Sequence, residues 1–257
     1  MSASIGGKCA GLVADIQEIG RRLHNKGFVA ANNGTISVRL GADRFLITAS
    51  GVSKGYLTAE DLVVIDGDGR VLEGEAKPSS EYRMHLGIYR EREDVHAVVH
   101  AHPPTATAFT VAGLSMMDPV LPEMVVFLGG VPTVPFAVPG TEDLSEKIRP
   151  YLAKHDALLL ENNGAVTIGS QLFEAYYRME SVEMTAQIRC IARGLGEERK
   201  LSRDEVRQLI ASRTAFQLTG RHPGQDLLKP GIIEPTEKSK EPGEGSPEVL
   251  GLYLDYL

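Results

Sequence analysis

His100 and His102 are the residues whose type and spacing point most directly to chemistry. They close the run Val95-His96-Ala97-Val98-Val99-His100-Ala101-His102, in which Val95, Ala97, Val99 and Ala101 take every second place. That alternation predicts a β-strand with two unlike faces. Side chains two apart on a strand point the same way, so the two imidazoles would lie side by side. Pro103 and Pro104 supply no ladder N–H and end the strand there. Two neutral imidazoles at a strand end are half of a metal site. The plainer alternative is two solvated histidines on an edge strand.

A second group surrounds Glu81. Lys77-Pro78-Ser79-Ser80-Glu81 opens a predicted helix running to about Arg92. Proline and serines suit a helix start, and the unpaired N–H groups there form a ready phosphate site. The serines serve equally as caps, their commoner use. Glu81 falls in the first turn, where the helix dipole favours a carboxylate. His85, four residues on, shares its face. A third stretch, Ser50-Gly51-Val52-Ser53-Lys54-Gly55, reads as a turn or as an anion cradle, because glycine lets backbone N–H groups approach a ligand.

The elements that must position these groups follow from periodicity. Leu12, Ile16, Ile19 and Leu23 predict an amphipathic helix over residues 8–24, with Gly27 near its end. Residues 30–35 form a tight loop, and 35–40 and 44–49 are hairpin strands. Residues 62–66 form a third strand, turning through Asp66-Gly67-Asp68-Gly69 into Val71-Leu72. A short helix spans 105–111. Residues 122–128 are ambiguous between strand and helix, and 131–136 read as a proline-broken edge strand. A helix carries Leu144, Ile148 and Leu152. Strands at 156–160 and 165–169 flank the turn Asn162-Asn163-Gly164, since Asn-Gly is a strong hairpin signal. A long helix covers 171–195, and Ser202 with Glu205 forms a capping box for the last one.

Composition sets the outer bounds. With 257 residues, 42% hydrophobic and 24% charged, the chain can bury a full core. A net charge of -7 argues against nucleic acid or an anionic membrane as partner. No run is long enough to span a bilayer, and the N-terminus lacks an apolar leader core, so a cytoplasmic location is expected. Cys9 and Cys190 are far apart and fit a reducing compartment, packing as small apolar residues. Residues 1–222 are expected to form one domain and 223–257 a flexible Pro/Gly/charged tail. The tail ends in an apolar tip, Val249–Leu257, that docks on the core or on a neighbour.

Taken together, the motifs resemble the class II aldolase/adducin family, the group that includes L-fuculose-1-phosphate aldolase and L-ribulose-5-phosphate 4-epimerase. The matching pieces are Gly34-Thr35-Ile36-Ser37-Val38-Arg39, Ile47-Thr48-Ala49-Ser50-Gly51, Lys77-Pro78-Ser79-Ser80-Glu81 and His100-Ala101-His102-Pro103. They continue through Pro122-Glu123 and Pro139-Gly140-Thr141 to Leu158-Leu159-Leu160-Glu161-Asn162-Asn163-Gly164, and the similarity covers residues 8–220. The resemblance implies an α/β fold of three αβα layers, with a central, mainly antiparallel sheet flanked by helices. It implies a homotetramer with active sites at subunit interfaces.

For the site, the resemblance implies that His100 and His102 hold a divalent metal, zinc above all. Glu81 would be the general acid/base. Gly34, Thr35, Ser50, Gly51, Ser79 and Ser80 would hold the substrate phosphate. The implied reaction is aldol cleavage of a small phosphorylated ketose of fuculose- or ribulose-phosphate type. A related decarboxylation, dehydration or 4-epimerisation is the alternative. A non-catalytic, adducin-like interaction protein with a degraded metal site is the alternative of another class.

Three departures qualify this. The family's third metal histidine is Asn163 here, a neutral amide that suits manganese or another hard ion better than zinc. His155, a few residues upstream, belongs to the far end of the preceding strand. The phosphate-loop asparagine is Thr35. The tyrosine of the fuculose-type aldolases is Glu123, a candidate further acid/base, with Tyr253 and Tyr256 as other candidates.

Overall fold

The computed structural model describes residues 9–218 and 220–229. Val13, Ile16, Ile19 and Leu23 recur at helical spacing and are buried on one face of helix α1 (Ala10–Asn25). The apolar hairpin segments become β1 (Thr35–Gly41) and β2 (Arg44–Thr48), followed by β3 (Leu62–Ile65) and β4 (Val71–Glu73). The predicted turn between the last two forms as expected. Asp66 accepts from the N–H groups of Asp68 and Arg70.

Helix α2 (Tyr82–Glu91) leads to β5 (Ala97–Ala101), α3 (Pro104–Val111) and α4 (Pro122–Phe127). The ambiguous segment is therefore helical, with Met124, Val125 and Val126 buried. After the two-residue strand β6 (Thr133–Val134) come α5 (Glu142–Ile148), β7 (Ala157–Leu160), β8 (Ala165–Gly169), α6 (Leu172–Leu195) and α7 (Arg203–Ala215). The expected capping box of α7 forms between Ser202 and Glu205.

The eight strands make one sheet in the order β4-β3-β2-β1-β5-β8-β7-β6. Every neighbouring pair is antiparallel except β6 and β7. The strand that carries His100 is thus central. Its residues are paired with Thr35 on β1 and with Val166 on β8, so the edge-strand alternative does not hold.

Strand alternation sorts the core into two layers. Ala97, Val99 and Ala101 pack with residues of α1, α3 and α6 on one face. Val98 packs with Met84, Ile88, Leu144 and Ile148 of α2 and α5 on the other. The result is the expected αβα sandwich. By the same alternation His100 points to the α2 side, where Glu81 enters.

A smaller cluster joins Val125 and Val206 to Leu227 and Leu228. The last two belong to a 3-10 helix, Gly224–Leu228, inside the stretch expected to be tail. The apolar tip, with Tyr253 and Tyr256, lies outside the described residues. Cys9 packs against the core, but Cys190 is exposed on α6. Its neighbours Ile191 and Met184 are exposed too, so the expectation that both cysteines pack inside is corrected for Cys190.

Candidate active site

Three chain segments meet at the end of β5. The first is β5 itself. His100 is fully buried, and its Nδ1 lies 3.0 Å from the Ala165 carbonyl. A carbonyl only accepts, so Nδ1 carries the proton and Nε2 of the neutral ring carries the lone pair. Among the described residues Nε2 has no aligned hydrogen-bond partner, yet it lies 3.0 Å from Glu81 Oε2. A lone pair against a carboxylate is unfavourable unless a proton or another cation stands between them. His102 follows just past the strand, tied by its N–H to the Phe28 carbonyl. Its ring centroid is 5.0 Å from that of His100, so the pair lies side by side as the spacing requires.

The second segment is the start of α2. The helix begins at Tyr82, later than the expected opening at Lys77. Residues 77–79 still run alongside the sheet: Ser79 N–H donates to the Thr48 carbonyl and Ser50 N–H to that of Lys77. Glu81 is the N-cap residue, and Ser79 Oγ accepts from its N–H at 3.3 Å.

The third segment is the β7–β8 hairpin. Asn162 and Gly164 have φ of 58° and 75°. A Cβ on Gly164 would fall 2.2 Å from the Ala101 carbonyl oxygen. Glycine therefore lets the hairpin tip press against the end of β5. That contact sets Asn163 where its Nδ2 reaches Glu81 Oε1 at 3.4 Å.

Burial works to raise the Glu81 pKa. The charge of a protonated His100 close by, with smaller help from His85 and Asn163, outweighs it and holds the carboxyl at about 2. Burial works against a charge on His100, but Glu81 prevails and raises its pKa. His102 is lowered to about 4, first by burial and then by the charge of His100.

A buried chain extends behind this pair. Ser37 Oγ is 2.7 Å from His85 Nδ1 and 2.9 Å from the Tyr89 hydroxyl. Burial lowers His85 to about 3, and its Nε2 has no partner among the described residues.

In front of the pair opens a cavity of about 220 Å³. Gly34, Thr35, Ser50, Gly51, Ser79 and Ser80 all line it, as do Glu81, His102 and Asn163. Thr35 Oγ1 and Ser79 Oγ share one hydrogen bond of 2.6 Å, which leaves one of their two protons to donate outward. One expected group is absent from this lining. Glu123 is exposed in the first turn of α4. His155, as its place at the far end of the strand suggests, is buried elsewhere, beside Gly130, Asp156 and Lys154.

Lys54 lines the cavity and was not anticipated. The only signal for it was the loop read as turn or cradle.

Among the described residues no three His, Cys, Asp or Glu side chains gather as a ready cation site. The donors present are two imidazoles, one of them with a buried nitrogen that has no partner among the described residues, and the amide of Asn163, whose nitrogen serves Glu81 and leaves its oxygen as the candidate donor. This set fits a divalent cation that takes its remaining donors from water or substrate oxygens.

Comparison with known proteins identifies the family. Residues 14–190 match the family model described as Class II Aldolase and Adducin N-terminal domain. L-fuculose phosphate aldolase of Methanococcus maripaludis (strain C5) is 33% identical over 175 residues, covering 68% of this chain and 93% of that protein. Methylthioribulose-1-phosphate dehydratase of Methylococcus capsulatus (strain Bath) is 36% identical over 184 residues, covering 66% of this chain and 88% of the relative. A solved structure of L-fuculose 1-phosphate aldolase superposes with a TM-score of 0.72 at 29% identity, covering 80% of this chain and 95% of that one. With this match over most of its length and the shared αβα scaffold, this chain belongs to the class II aldolase and adducin N-terminal domain family.

Proposed function

We propose that this protein is a metal-dependent lyase that cleaves a carbon–carbon bond in a small phosphorylated ketose. The observation that carries the reading is the buried Nε2 of His100, which faces Glu81 Oε2 at 3.0 Å with His102 beside it, at the wall of a hydroxyl-lined cavity. A divalent cation held by His100, His102 and Asn163 would supply positive charge where an oxyanion develops on the substrate. Zinc is the first candidate and manganese the second, because the third donor is an amide.

The remaining work falls to the chain. Glu81, ionised at neutral pH, takes the proton from the hydroxyl whose carbon is being released. The carbon–carbon bond breaks, and the same carboxyl returns the proton to the carbon left with the electron pair. The Gly34–Thr35 and Ser50–Gly51 loops and the Ser79–Ser80 segment hold the phosphate end, which fixes the reacting end at Glu81. Glu123 does not line this cavity within one chain. It takes part only if a neighbouring copy presents it, as in a tetramer with interfacial sites.

Dehydration of a similar substrate is the second reading, supported by the relative named methylthioribulose-1-phosphate dehydratase. One experiment separates the readings. The purified protein is given L-fuculose 1-phosphate and D-ribulose 1-phosphate, and the products are identified by mass spectrometry. Release of dihydroxyacetone phosphate supports the lyase, and a product lighter by one water supports the dehydratase. Elemental analysis of the same sample, alongside Asn163→His, tests the metal. A native chain without metal that gains it in the variant, and that turns over neither substrate, supports an adducin-like binding role instead.

A further inference from the structure

The charge in this cavity does not match its proposed ligand. A phosphate monoester brings about two negative charges, yet the six residues proposed to hold it are neutral, and Glu81 adds a negative charge to the same cavity. Lys54 is the one lysine or arginine among the lining residues.

The position of Lys54 is unusual for a lysine. It opens a short 3-10 helix, Lys54–Tyr56, and its side chain is 1% exposed. Its Nζ donates to the carbonyls of Val52 at 2.7 Å and Asn32 at 3.0 Å. These two acceptors belong to the two loops that carry Ser50–Gly51 and Gly34–Thr35. Both are neutral, and the ammonium makes no ion pair among the described residues. A buried cation without a paired counter-ion is unfavourable, and burial lowers the Lys54 pKa to about 8, although the more distant charges of Glu81 and Asp61 act to raise it.

The seat is built rather than incidental. A Cβ on Gly20 of α1 would lie 2.2 Å from the Lys54 carbonyl oxygen, so the backbone of Lys54 rests directly on that helix. Gln17, also on α1, donates to the Leu57 carbonyl and holds the far end of the turn. The amine is therefore presented from a rigid base, with two N–H groups spent on the loops and the third left over.

We propose that Lys54 is the phosphate-affinity determinant of this site: a buried ammonium that joins the two loops and completes its own charge balance with the substrate phosphate. The proposal rests on the reading of the cavity as a sugar-phosphate site. It assigns Lys54 a role in binding, and it places the phosphate against the loops rather than against the histidines.

The test measures the affinity of the full-length protein for inorganic phosphate and for dihydroxyacetone phosphate by calorimetry, in wild type, Lys54→Met, Lys54→Gln and Lys54→Arg, with thermal melts of each. Lys54→Gln retains a donor without the charge, and Lys54→Arg retains the charge. Loss of a charge-assisted contact predicts a Kd raised roughly tenfold or more in Met and Gln, and within about threefold of wild type in Arg. Affinities equal to wild type in Met and Gln overturn the proposal. Rescue by Gln as complete as by Arg overturns it too, and leaves Lys54 as a loop tether. If Lys54→Met does not fold, Gln and Arg decide alone. Wild-type protein that binds neither probe removes the phosphate reading and this proposal together, whereas binding that is insensitive to Lys54 removes only the latter.

Discussion

Glu81 and Asn163 touch, yet their substitutions have opposite expected effects. Glu81→Gln keeps the shape of the side chain and removes the proton acceptor. Turnover is expected to fall by about 10²–10⁴, the usual weight of general acid–base catalysis. The melting temperature should hold, because the carboxylate is buried beside groups that an amide can also bond. Steady-state kinetics with a melt on the same sample checks this, and undiminished turnover removes Glu81 from the chemistry. Asn163→His replaces a neutral amide with an imidazole, so more zinc should survive dialysis than in wild type. Elemental analysis reads that directly, and equal zinc in both proteins excludes position 163 as a ligand. At this scale the sequence was legible where spacing fixes direction. His100 and His102 are two apart on a strand and had to lie together. Lys54 was not legible, because a lysine in a glycine-rich loop is normally solvated. Its burial depends on Gly20, 34 positions earlier on another helix.

Elements place these residues through a few close contacts, and two of those can be tested. Gly164 packs the β7–β8 hairpin onto β5 with a positive φ and no room for a Cβ. Gly164→Ala is expected to lower stability by about 2–3 kcal/mol and to displace Asn163 from Glu81. Chemical denaturation measures the first effect, and a wild-type midpoint would refute it. His222 fastens the 3-10 helix Gly224–Leu228 to α4. Its Nδ1 accepts from Gly224 N–H and its Nε2 donates to the Val125 carbonyl. Both bonds need a neutral ring, and burial, despite the Val125 carbonyl, lowers its pKa to about 4. The unfolded chain takes up this proton near the ordinary value of about 6.5 and the folded chain does so only near 4. The contribution is therefore intact above 6.5 and is lost as pH falls toward 4, to a total of at most about 3 kcal/mol, less where solvent screens the partly exposed ring. His85 and His102 are lowered into the same range. The measurement is accordingly the difference in pH slope between wild type and His222→Gln, whose amide preserves both bonds. Identical slopes would exclude His222. The hairpin was evident from Asn-Gly, but the 3-10 helix lies in polar sequence where only Leu227 and Leu228 hint at a buried turn. Residues 122–128 were ambiguous because a short apolar run fits strand and helix alike. Packing against α7 and the 3-10 helix settles them as α4.

For the whole molecule, the single chain leaves two features without an internal role. Tyr177, Met184, Ile188, Ile191 and Leu195 are exposed at seven-, four- and three-residue intervals along α6, an apolar stripe of the kind that marks contact with another protein surface. Glu123 is exposed on α4, away from the cavity it was expected to serve. Assembly into the proposed tetramer would account for both, since a cyclic arrangement brings one copy's surface to the next copy's cavity. If Glu123 acts across such a boundary, Glu81→Gln and Glu123→Gln damage different halves of a shared site. Each variant alone should then be nearly inactive, while a tetramer mixed at equal ratio contains sites with both native carboxylates. Random assembly makes these about a quarter of all sites, so co-refolded mixtures should recover about a quarter of wild-type activity. Sedimentation must show that the mixture has the mass of the native assembly. Recovery near a quarter places Glu123 in a neighbour's site. If the mixture gains nothing over the separate variants, the two carboxylates do not complement one another across subunits, and Glu123 has no such role.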